Sequence, residues 1–322
     1  MGARRHGEGQ TLHGSGSILT IGWDMAMGKI AVHGFVNTDM ICQVDAFAEV
    51  DQETEVSSLQ FLPGGSAANV AVGLSRLGKE VYFLGAVGQH AYTSFLLDSM
   101  EKVRCDHIQI VDQASSGMVL VLVDKQGLRT MYTYPGANVQ YEVNRVPDDF
   151  CLGLDFLHLS SPHLPIADQL FAWKKKKPQL RISFDPSSLL TKKGLKPLQA
   201  LLAQTDILFV NRSELQDLVG DRGVDLALQD LHRLGVKEIF VKMGKEGAVY
   251  SSASERIYHP SLTVKAVDST GSGDAFAVGV LYGFSRGWDK KKVLQAGITL
   301  GARVVEHVGA RTGLPHIGEW GG

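Results

Sequence analysis

The stretch Val267-Asp-Ser-Thr-Gly-Ser-Gly-Asp274 comes directly before an apolar segment rich in small residues, Ala275–Phe284. That segment predicts a helix that is buried on most sides and closely packed through Gly279. The Gly-Ser-Gly piece then lies at the helix start, where backbone N–H groups have no intrahelical partner. The helix dipole adds partial positive charge there, so the stretch predicts an anion-binding site.

Short apolar runs alternate with helical patterns along the rest of the chain. The runs that predict buried strands are Lys29–Val36, Val81–Val87, Phe156–Leu159, Ile182–Phe184, Asp206–Val210 and Ile239–Lys242. The segments between them that predict helices are Ala67–Leu77, Ile166–Lys176, Glu214–Val219 and Asp225–Leu234. This alternation predicts the α/β class, with a doubly wound, mainly parallel sheet flanked by helices.

Two stretches interrupt the alternation, Met40–Phe61 and Gly117–Tyr134. The second predicts a hairpin whose turn is Asp124–Gly127. Strands that interrupt a βα series either form a small separate sheet, such as a lid, or extend the main sheet in antiparallel fashion. Both arrangements stay open at this point. Exposed lid strands would also pair between subunits, which favours a homodimer.

Composition excludes several classes of protein. The 322 residues are 44% hydrophobic with a formal charge of −2, typical of a globular protein with one large or two modest α/β domains. The one basic run, Lys174–Lys177, has no aromatic platform, so we interpret it as a solvated helix end and expect no nucleic-acid partner. No run of about 18 apolar residues is present, so we expect no membrane span.

The three cysteines are far apart and contain no CxxC pair, which favours a reducing cytosol over a disulfide framework. The eleven histidines show no metal-ligand spacing. Residues 1–27 are rich in Gly, His and Ser and are interpreted as a tag or a leader. The sequence thus predicts one domain over residues 28–318, followed by a tail at 319–322.

Asp274 stands beside the predicted anion site, at the start of the same helix. A carboxylate there can take the proton of an attacking hydroxyl. The alternative is a helix cap or dipole partner. The segment is not a dinucleotide fingerprint, because Phe276 occupies the position of the third glycine. The nearest match to a Walker loop, Gly22–Lys29, has one residue too many between its glycines. It is followed by Ile30 rather than by Ser or Thr, so we reject it.

Three further segments place amide or carboxylate groups at strand ends. Pro63–Asn69 brings the backbone close to a ligand and offers the Asn69 amide; otherwise it is a tight turn. Asn37–Asp39 offers a carboxylate to two neighbouring hydroxyls; otherwise it is an Asx turn. Asn211–Glu214 suits hydrated Mg²⁺; otherwise it is a helix N-cap with an acidic first turn.

Together these motifs resemble the ribokinase family, also called the PfkB family of carbohydrate and nucleoside kinases. Gly64–Gly78 resembles its N-terminal signature, Val267–Phe276 its specific C-terminal signature, and Asn211–Glu214 its NxxE magnesium motif. They occur in the family's order and at its usual separations. The resemblance covers roughly Lys29–Pro315 and favours the lid over the sheet extension.

The resemblance implies a role for each matching residue. Asp274 would be the base, and Gly271, Ser272 and Gly273 the anion hole. The acceptor would be held by Asn37, Asp39, Gly64, Gly65, Asn69 and Asp268. Asn211 and Glu214 would bind phosphate and hydrated Mg²⁺. ATP would be contacted by Lys242, Gly244 and Gly247. K⁺, which family members often bind, would meet carbonyls of Asp268, Thr270, Val304 and Gly309.

Departures from the family's patterns bear on the acceptor. Ser160 stands where ribokinase has a Glu, and Ser66 stands where it has a Lys. Phe184–Ser188 lacks the Asn and Arg typical of fructokinase-like chains, and no cationic cluster is evident. These features favour an unphosphorylated sugar, polyol or nucleoside as the acceptor. The alternatives are a phosphosugar or vitamin precursor on the same fold, a non-catalytic sugar-binding relative, or an oxidoreductase.

Overall fold

Nine strands form one central sheet within residues 28–320, the part of the chain that the computed structural model describes. In chain order, the strands of this described part are β1 (Ile30–Gly34), β2 (Asn37–Val44), β3 (Val56–Gly64), β4 (Val81–Gly88), β5 (Ile108–Val111), β6 (Gly117–Val123), β7 (Arg129–Tyr134), β8 (Phe156–Ser160), β9 (Arg181–Asp185), β10 (Ile207–Asn211), β11 (Glu238–Lys242), β12 (Ala248–Ser252) and β13 (Arg256–His259). The central sheet has the order β13-β12-β11-β10-β9-β8-β1-β4-β5, and only the β11–β12 and β12–β13 pairs are antiparallel among its described strands.

Helices cover both faces of this sheet. They are α1 (Ser66–Arg76), α2 (Thr93–Asp98), α3 (Leu164–Phe171), α4 (Trp173–Lys176), α5 (Ser187–Thr191), α6 (Gln199–Leu202), α7 (Arg212–Val219), α8 (Val224–Leu234), α9 (Ser272–Ser285) and α10 (Lys290–Val304). Side chains alternate along β1: Ile30 and Val32 pack in one core with α1, α9 and α10, and Ala31 packs in the other with α3 and α8. This confirms the predicted α/β class and doubly wound sheet.

The two interrupting stretches form a second, separate sheet of four strands, in the order β3-β2-β6-β7. The hairpin of β6 and β7 turns where predicted: Asp124 Oδ1 accepts the N–H of Gln126 and of Leu128 at 2.9 and 2.8 Å, and Gly127 has a φ of 78°. The separate sheet confirms the lid and removes the alternative of an extended main sheet.

Some element boundaries differ from the sequence prediction. The first predicted strand, Lys29–Val36, ends as β1 at Gly34, and the chain enters the lid at Asn37. A Cβ on Gly34 would lie 2.0 Å from the Ser160 carbonyl oxygen, so the chain leaves the sheet where only glycine fits. The predicted helix Ile166–Lys176 is divided into α3 and α4 at Ala172.

Residues 1–27, predicted to be a tag or leader, lie outside the described residues. At the other end Trp320 packs against Tyr282 and Trp288. All three cysteines are free thiols. Among the described residues, no helix has the length and hydropathy needed to cross a bilayer.

Candidate active site

Helix α9 begins at Ser272, with Gly271 as its N-cap at a φ of 76°. A Cβ on Gly271 would lie 2.6 Å from the Ala310 Cα, so glycine is required there by both conformation and space. The predicted helix is confirmed but starts three residues before Ala275. Gly273 and Asp274 therefore stand in its first turn, where the backbone N–H groups are free to bind an anion.

The Asp274 carboxylate lies at the centre of the site. Its Oδ2 accepts a hydrogen bond from Asn69 Nδ2 at 2.8 Å. Burial raises the pKa of Asp274 to about 6, although the Asn69 hydrogen bond and the Lys242 charge act in the opposite direction. A carboxylate with this pKa is ionised at neutral pH and remains a useful proton acceptor.

A cavity of about 700 Å³ opens beside the first turn of α9. All four residues predicted to contact the nucleotide line it, and so do Ser272 and Gly273 of the predicted anion hole. Its other walls are mostly apolar, with Leu262, Val264, Phe276, Ile298, Ala302 and Val305. The four predicted nucleotide contacts are Asn211, Lys242, Gly244 and Gly247. The cavity is therefore large enough for a nucleotide with an apolar face for its base and an anion-binding end.

Lys242 brings a partly buried positive charge to the anion-binding end. Its Nζ donates to Asp185 Oδ2 at 2.9 Å, and a Cβ on Gly273 would lie only 3.2 Å from that Nζ. Burial lowers the pKa of Lys242, but the charges of Asp185 and Glu214 outweigh it and raise the pKa overall. The sequence prediction included Lys242 but missed Asp185, which stands at the C-terminal end of β9.

Asn211 and Glu214 form a reciprocal capping box at the start of α7. Asn211 Oδ1 accepts the Glu214 N–H at 2.9 Å, and Glu214 Oε2 accepts the Asn211 N–H at 2.8 Å. These are the contacts of a helix N-cap with an acidic first turn, the alternative that the sequence left open for this motif. Burial and the neighbouring Asp185 charge also raise the pKa of Glu214.

The carboxylates near the cavity suit a hydrated Mg²⁺ better than a metal ion enclosed by protein ligands alone. The carboxylates of Glu214 and Asp185 influence each other electrostatically close to the cavity. Among residues 28–320, no group of three or more His, Cys, Asp or Glu side chains could enclose a metal ion. Mg²⁺ prefers oxygen ligands and keeps several waters, so these two carboxylates fit an ion held through water.

The acceptor side of the site is built from the lid strands β2 and β3. Asn37 pairs with Gly64 across these strands, and a Cβ on Gly64 would lie 2.1 Å from Asp39 Oδ2. Asp39 Oδ1 is buried and has no hydrogen-bond partner among the described residues. Burial raises the pKa of Asp39 to about 7; the Arg311 charge opposes this shift and the Asp274 charge adds to it.

Asn37 is held by a residue that the sequence prediction missed. Its Oδ1 accepts a hydrogen bond from Asn138 Nδ2 at 3.0 Å, and Asn138 Oδ1 accepts the Val36 N–H at 3.0 Å. Asn138 lies in the short segment that follows the lid hairpin. The Asn37 amide nitrogen remains as a donor for an acceptor hydroxyl.

Gly65 lets the lid strand β3 turn directly into helix α1. It is the N-cap of α1 with a φ of 93°, and a Cβ there would lie 2.3 Å from the Phe35 carbonyl oxygen. This close approach brings Asn69, in the first turns of α1, to Asp274. Gly65 thus has a conformational role, because it helps to place Asn69, a residue predicted to bind the acceptor.

Asp268 joins the two segments predicted to bind K⁺. Its Oδ1 accepts the Thr270 N–H at 2.9 Å, and its Oδ2 accepts the Gly309 N–H at 2.9 Å. The Asp268 side chain therefore brings the two segments together, and the K⁺ site itself stays a prediction. The Val304 carbonyl accepts the His307 N–H at 3.1 Å.

Two arginines reach this region that the sequence prediction did not identify. Arg129 of β7 donates to Ser269 Oγ at 2.7 Å and to Thr270 Oγ1 at 2.8 Å. Arg311 lies near Asp39 and donates to Asn69 Oδ1 at 2.8 Å. The expectation that no cationic cluster surrounds the acceptor stays a prediction, because the two arginines contact different segments. These contacts join segments 140 and 242 residues apart, and the sequence carries no local signal for them.

Comparisons with known proteins agree with this geometry. The model of the pfkB family carbohydrate kinases matches residues 27–317. A sugar kinase of Archaeoglobus fulgidus, itself uncharacterized, is 31% identical over 248 residues, which cover 76% of this chain and 98% of that protein. An ATP-dependent ribose-1-phosphate kinase of Halopiger xanaduensis is 28% identical over 89% of this chain and 95% of its own.

The fold matches solved structures equally well. The crystal structure of ribokinase from Thermotoga maritima superimposes with a TM-score of 0.80 and 26% identity, over 90% of this chain and 96% of the ribokinase. The predicted family resemblance and enzyme class are thereby confirmed. The chain therefore belongs to the pfkB family and is an ATP-dependent carbohydrate kinase.

Proposed function

We propose that this kinase phosphorylates a hydroxyl of an unphosphorylated sugar, polyol or nucleoside, with Asp274 as the base. One observation carries the proposal: Asp274 stands between the two halves of the site. Ser272 and Gly273 of the same helical turn line the nucleotide cavity, while Asn69, which hydrogen-bonds Asp274, belongs to the acceptor side. A hydroxyl placed there meets a proton acceptor and an anion-binding helix start together.

The proposed reaction is an in-line displacement at the γ-phosphorus of ATP. The acceptor oxygen forms its bond to phosphorus as the bond to the ADP oxygen breaks, and the hydroxyl proton passes to Asp274. The first-turn N–H groups of α9 and the Lys242 ammonium stabilise the negative charge on the transferring group. Hydrated Mg²⁺, held by Glu214 and Asp185 through water, would neutralise phosphate charge. The lid sheet excludes water from the acceptor.

The choice of an unphosphorylated acceptor rests on what the polar groups contact. The unpartnered Asp39 oxygen and the free Asn37 donor suit neighbouring hydroxyls. The guanidinium of Arg311, although close, donates to protein oxygens rather than into an open space. Ribokinase, the name of the Thermotoga maritima relative, describes a kinase of this kind of acceptor.

A phosphorylated acceptor is the second candidate, and Arg129 is the observation that favours it. Its side chain is 31% exposed on the lid, and it contacts the hydroxyls of Ser269 and Thr270 and, at 3.4 Å, the Asp268 carboxylate. Such a group can exchange protein contacts for a phosphate at little cost. The Halopiger xanaduensis relative is named for a phosphosugar.

Two further features belong to this proposal. K⁺ would bind the backbone oxygens of the segments that Asp268 joins, in the loops next to the start of α9. Two copies of the chain would associate through the lid, whose outer strand β7 exposes Met131, Tyr132 and Tyr134.

A screen of ATP consumption tests the acceptor class. Ribose, fructose, inositol, ketodeoxygluconate and nucleosides form one set, and ribose 1-phosphate and fructose 6-phosphate form the other, each with and without K⁺. The proposal expects the highest kcat/KM within the first set and a gain on adding K⁺. A clear preference for the phosphorylated set would favour the second candidate, and no turnover with any hydroxyl compound would contradict the kinase proposal.

A further inference from the structure

The Arg311 side chain is a buried cation whose donors are nearly all used. It is 7% exposed and lies in the turn that follows α10. Nη1 donates to the carbonyl and hydroxyl oxygens of Ser99 at 3.0 and 3.1 Å, and Nη2 donates to the Gly64 carbonyl at 3.2 Å. Nε donates to Asn69 Oδ1 at 2.8 Å. Burial lowers the pKa of Arg311 to about 10, so the group stays charged at neutral pH.

The contact to Asn69 decides which way its amide faces. A guanidinium can only donate, so the atom of Asn69 that meets Arg311 must be the oxygen. The amide nitrogen then faces Asp274 Oδ2, to which it donates at 2.8 Å. Rotating the amide by half a turn would set two donors against each other at Arg311 and two acceptors at Asp274. Both contacts are lost together in that orientation.

The backbone that carries Arg311 is itself fixed from a second side. Arg76 Nη1 donates to the Arg311 carbonyl at 2.5 Å and to the Leu314 carbonyl at 3.3 Å. Arg76 in turn pairs with Glu101 through Nη2 at 2.6 Å. The guanidinium of Arg311 therefore has little freedom to leave Asn69.

We propose that Arg311 is a positioning residue, whose guanidinium holds the Asn69 side chain in the orientation that donates to Asp274. The inference rests on the proposed role of Asp274 as the base. Arg311 does not touch the reacting atoms; it acts through Asn69. It also compensates the charge of Asp39, the second carboxylate on the acceptor side.

The charged groups around Asp274 fix the sign of the expected effect. Asp185 of β9 and Asp39 of β2 raise its tendency to hold a proton, while Lys242 of β11 and the Asn69 amide lower it. Removing Arg311 frees the Asn69 amide and deletes a positive charge near both carboxylates. Asp274 should then stay protonated up to a higher pH. At acidic pH a smaller fraction of the enzyme should therefore have an ionised base.

The test measures the titration of Asp274 directly, in enzyme labelled with ¹³C at aspartate carboxyls. The Asp274→Asn variant identifies the resonance by its absence. Wild-type Asp274 should titrate near pH 6, and Arg311→Met should raise that midpoint by about one pH unit. Arg311→Lys, which keeps the charge but loses the planar fork, should give a smaller rise. Arg303→Met is the matched control: Arg303 Nε donates to the Gly313 carbonyl, away from Asn69, and its loss should leave the midpoint unchanged.

Turnover supplies the second readout, with the best acceptor of the screen. In Arg311→Met the acid limb of kcat should move up with the titration midpoint, which lowers kcat at pH 6 roughly fivefold and far less at pH 8.5. A purely structural role would lower the melting temperature and reduce kcat equally at both pH values. Unshifted titration and an unshifted acid limb in Arg311→Met would overturn the proposal.

One measurement needs no substitution at position 311. In wild-type enzyme labelled with ¹⁵N at asparagine side chains, the Asn69 amide should titrate with the midpoint of Asp274 and rotate slowly. A freely rotating amide without that titration would overturn the proposal even if Arg311→Met failed to fold. Near-normal turnover of Asp274→Asn, in contrast, would refute the proposed base. The orientation of Asn69 would then still be tested separately by the NMR data.

Discussion

At the scale of single residues, Asp39 carries two unfavourable features that an acceptor hydroxyl would relieve. Its Oδ1 is buried without a partner among the described residues, and burial raises its pKa to about 7. A buried acceptor atom left unpaired costs roughly 1–3 kcal/mol. An oxygen so placed near Asp274 is best explained by a ligand that donates to it.

Asp39→Asn should therefore weaken the handling of the acceptor while stabilising the free protein. The expected loss in kcat/KM for the acceptor is on the order of 100-fold, since a charge-assisted hydrogen bond is lost. The folded-state pKa of about 7 lies above the unfolded value of 3.8, so stability falls as the pH rises from 3.8 to about 7, and the destabilisation by ionised Asp39 is complete above that pH. At pH 8 the amide should raise the melting temperature by roughly 2–4 °C.

Asp45→Asn is the control for this variant, because Asp45 is an exposed lid residue paired with Lys125. It should change neither quantity. A kcat/KM within about twofold of wild type in Asp39→Asn would contradict the acceptor role.

At the scale of elements, α9 and α10 come into close contact through one glycine. A Cβ on Gly279 would lie 2.5 Å from the Ala296 carbonyl oxygen, which belongs to the backbone of α10 and cannot move aside cheaply. Gly279→Ala should thus destabilise the protein by about 1–3 kcal/mol, although alanine is the better helix former. Urea unfolding measures it. Gly153→Ala, where the added Cβ meets no atom within 4 Å, should stay within about 0.5 kcal/mol of wild type, and an equal effect in both variants would refute the packing argument.

The lid strand β7 contacts the loop before α9, residues 268–271, through Arg129. Arg129→Met removes the contacts to Ser269 and Thr270 and should lower kcat/KM for the acceptor about tenfold, with a smaller effect on KM for ATP. A phosphorylated acceptor should lose far more, because a direct ion pair would go as well. Lys125→Met, in the turn of the same hairpin, is the control. Equal losses for Lys125→Met and Arg129→Met would show that the contact to the loop is irrelevant.

Elements with strong local signals could be predicted from the sequence. Helix α9 was recognised by its small apolar residues and preceding glycines, and the lid hairpin by the turn Asp124–Gly127. Helix α10 was missed, although Asp289 caps it by accepting the Lys292 N–H at 3.0 Å. The short edge strands β12 and β13 were missed as well, because four or five residues give too little periodicity.

At the scale of the whole molecule, the lid presents an exposed apolar edge. Met131 and Tyr132 on β7 are 62% and 61% exposed, and an open strand edge of this kind favours pairing with another chain. If two copies associate there, Tyr132→Lys should shift the protein from dimer to monomer in sedimentation velocity. Leu226→Lys, on an exposed position of α8, should leave the dimer intact. A wild-type protein that sediments as a monomer at high concentration would contradict the proposed association.

The arrangement of the whole molecule also explains which residues of the site could not be found from the sequence. The motifs at Asn69, Asn211 and Asp274 could be predicted as site residues because each lies at a strand or helix end with a local pattern. Asp185 and Arg311 were not identified as part of the site, because their importance comes from contacts with residues 57 and 242 positions away. Such contacts depend on the complete topology of the sheet and lid.

The role of Asp274 is tested most directly by the turnover of Asp274→Asn with ATP and the best acceptor. The proposal predicts that turnover falls by at least about 1,000-fold, with ATP binding by calorimetry unchanged and a melting temperature no lower than wild type. Asp230→Asn, which removes a carboxylate on α8 far from the cavity, should keep full activity. Near-normal turnover of Asp274→Asn would contradict the assignment of the base.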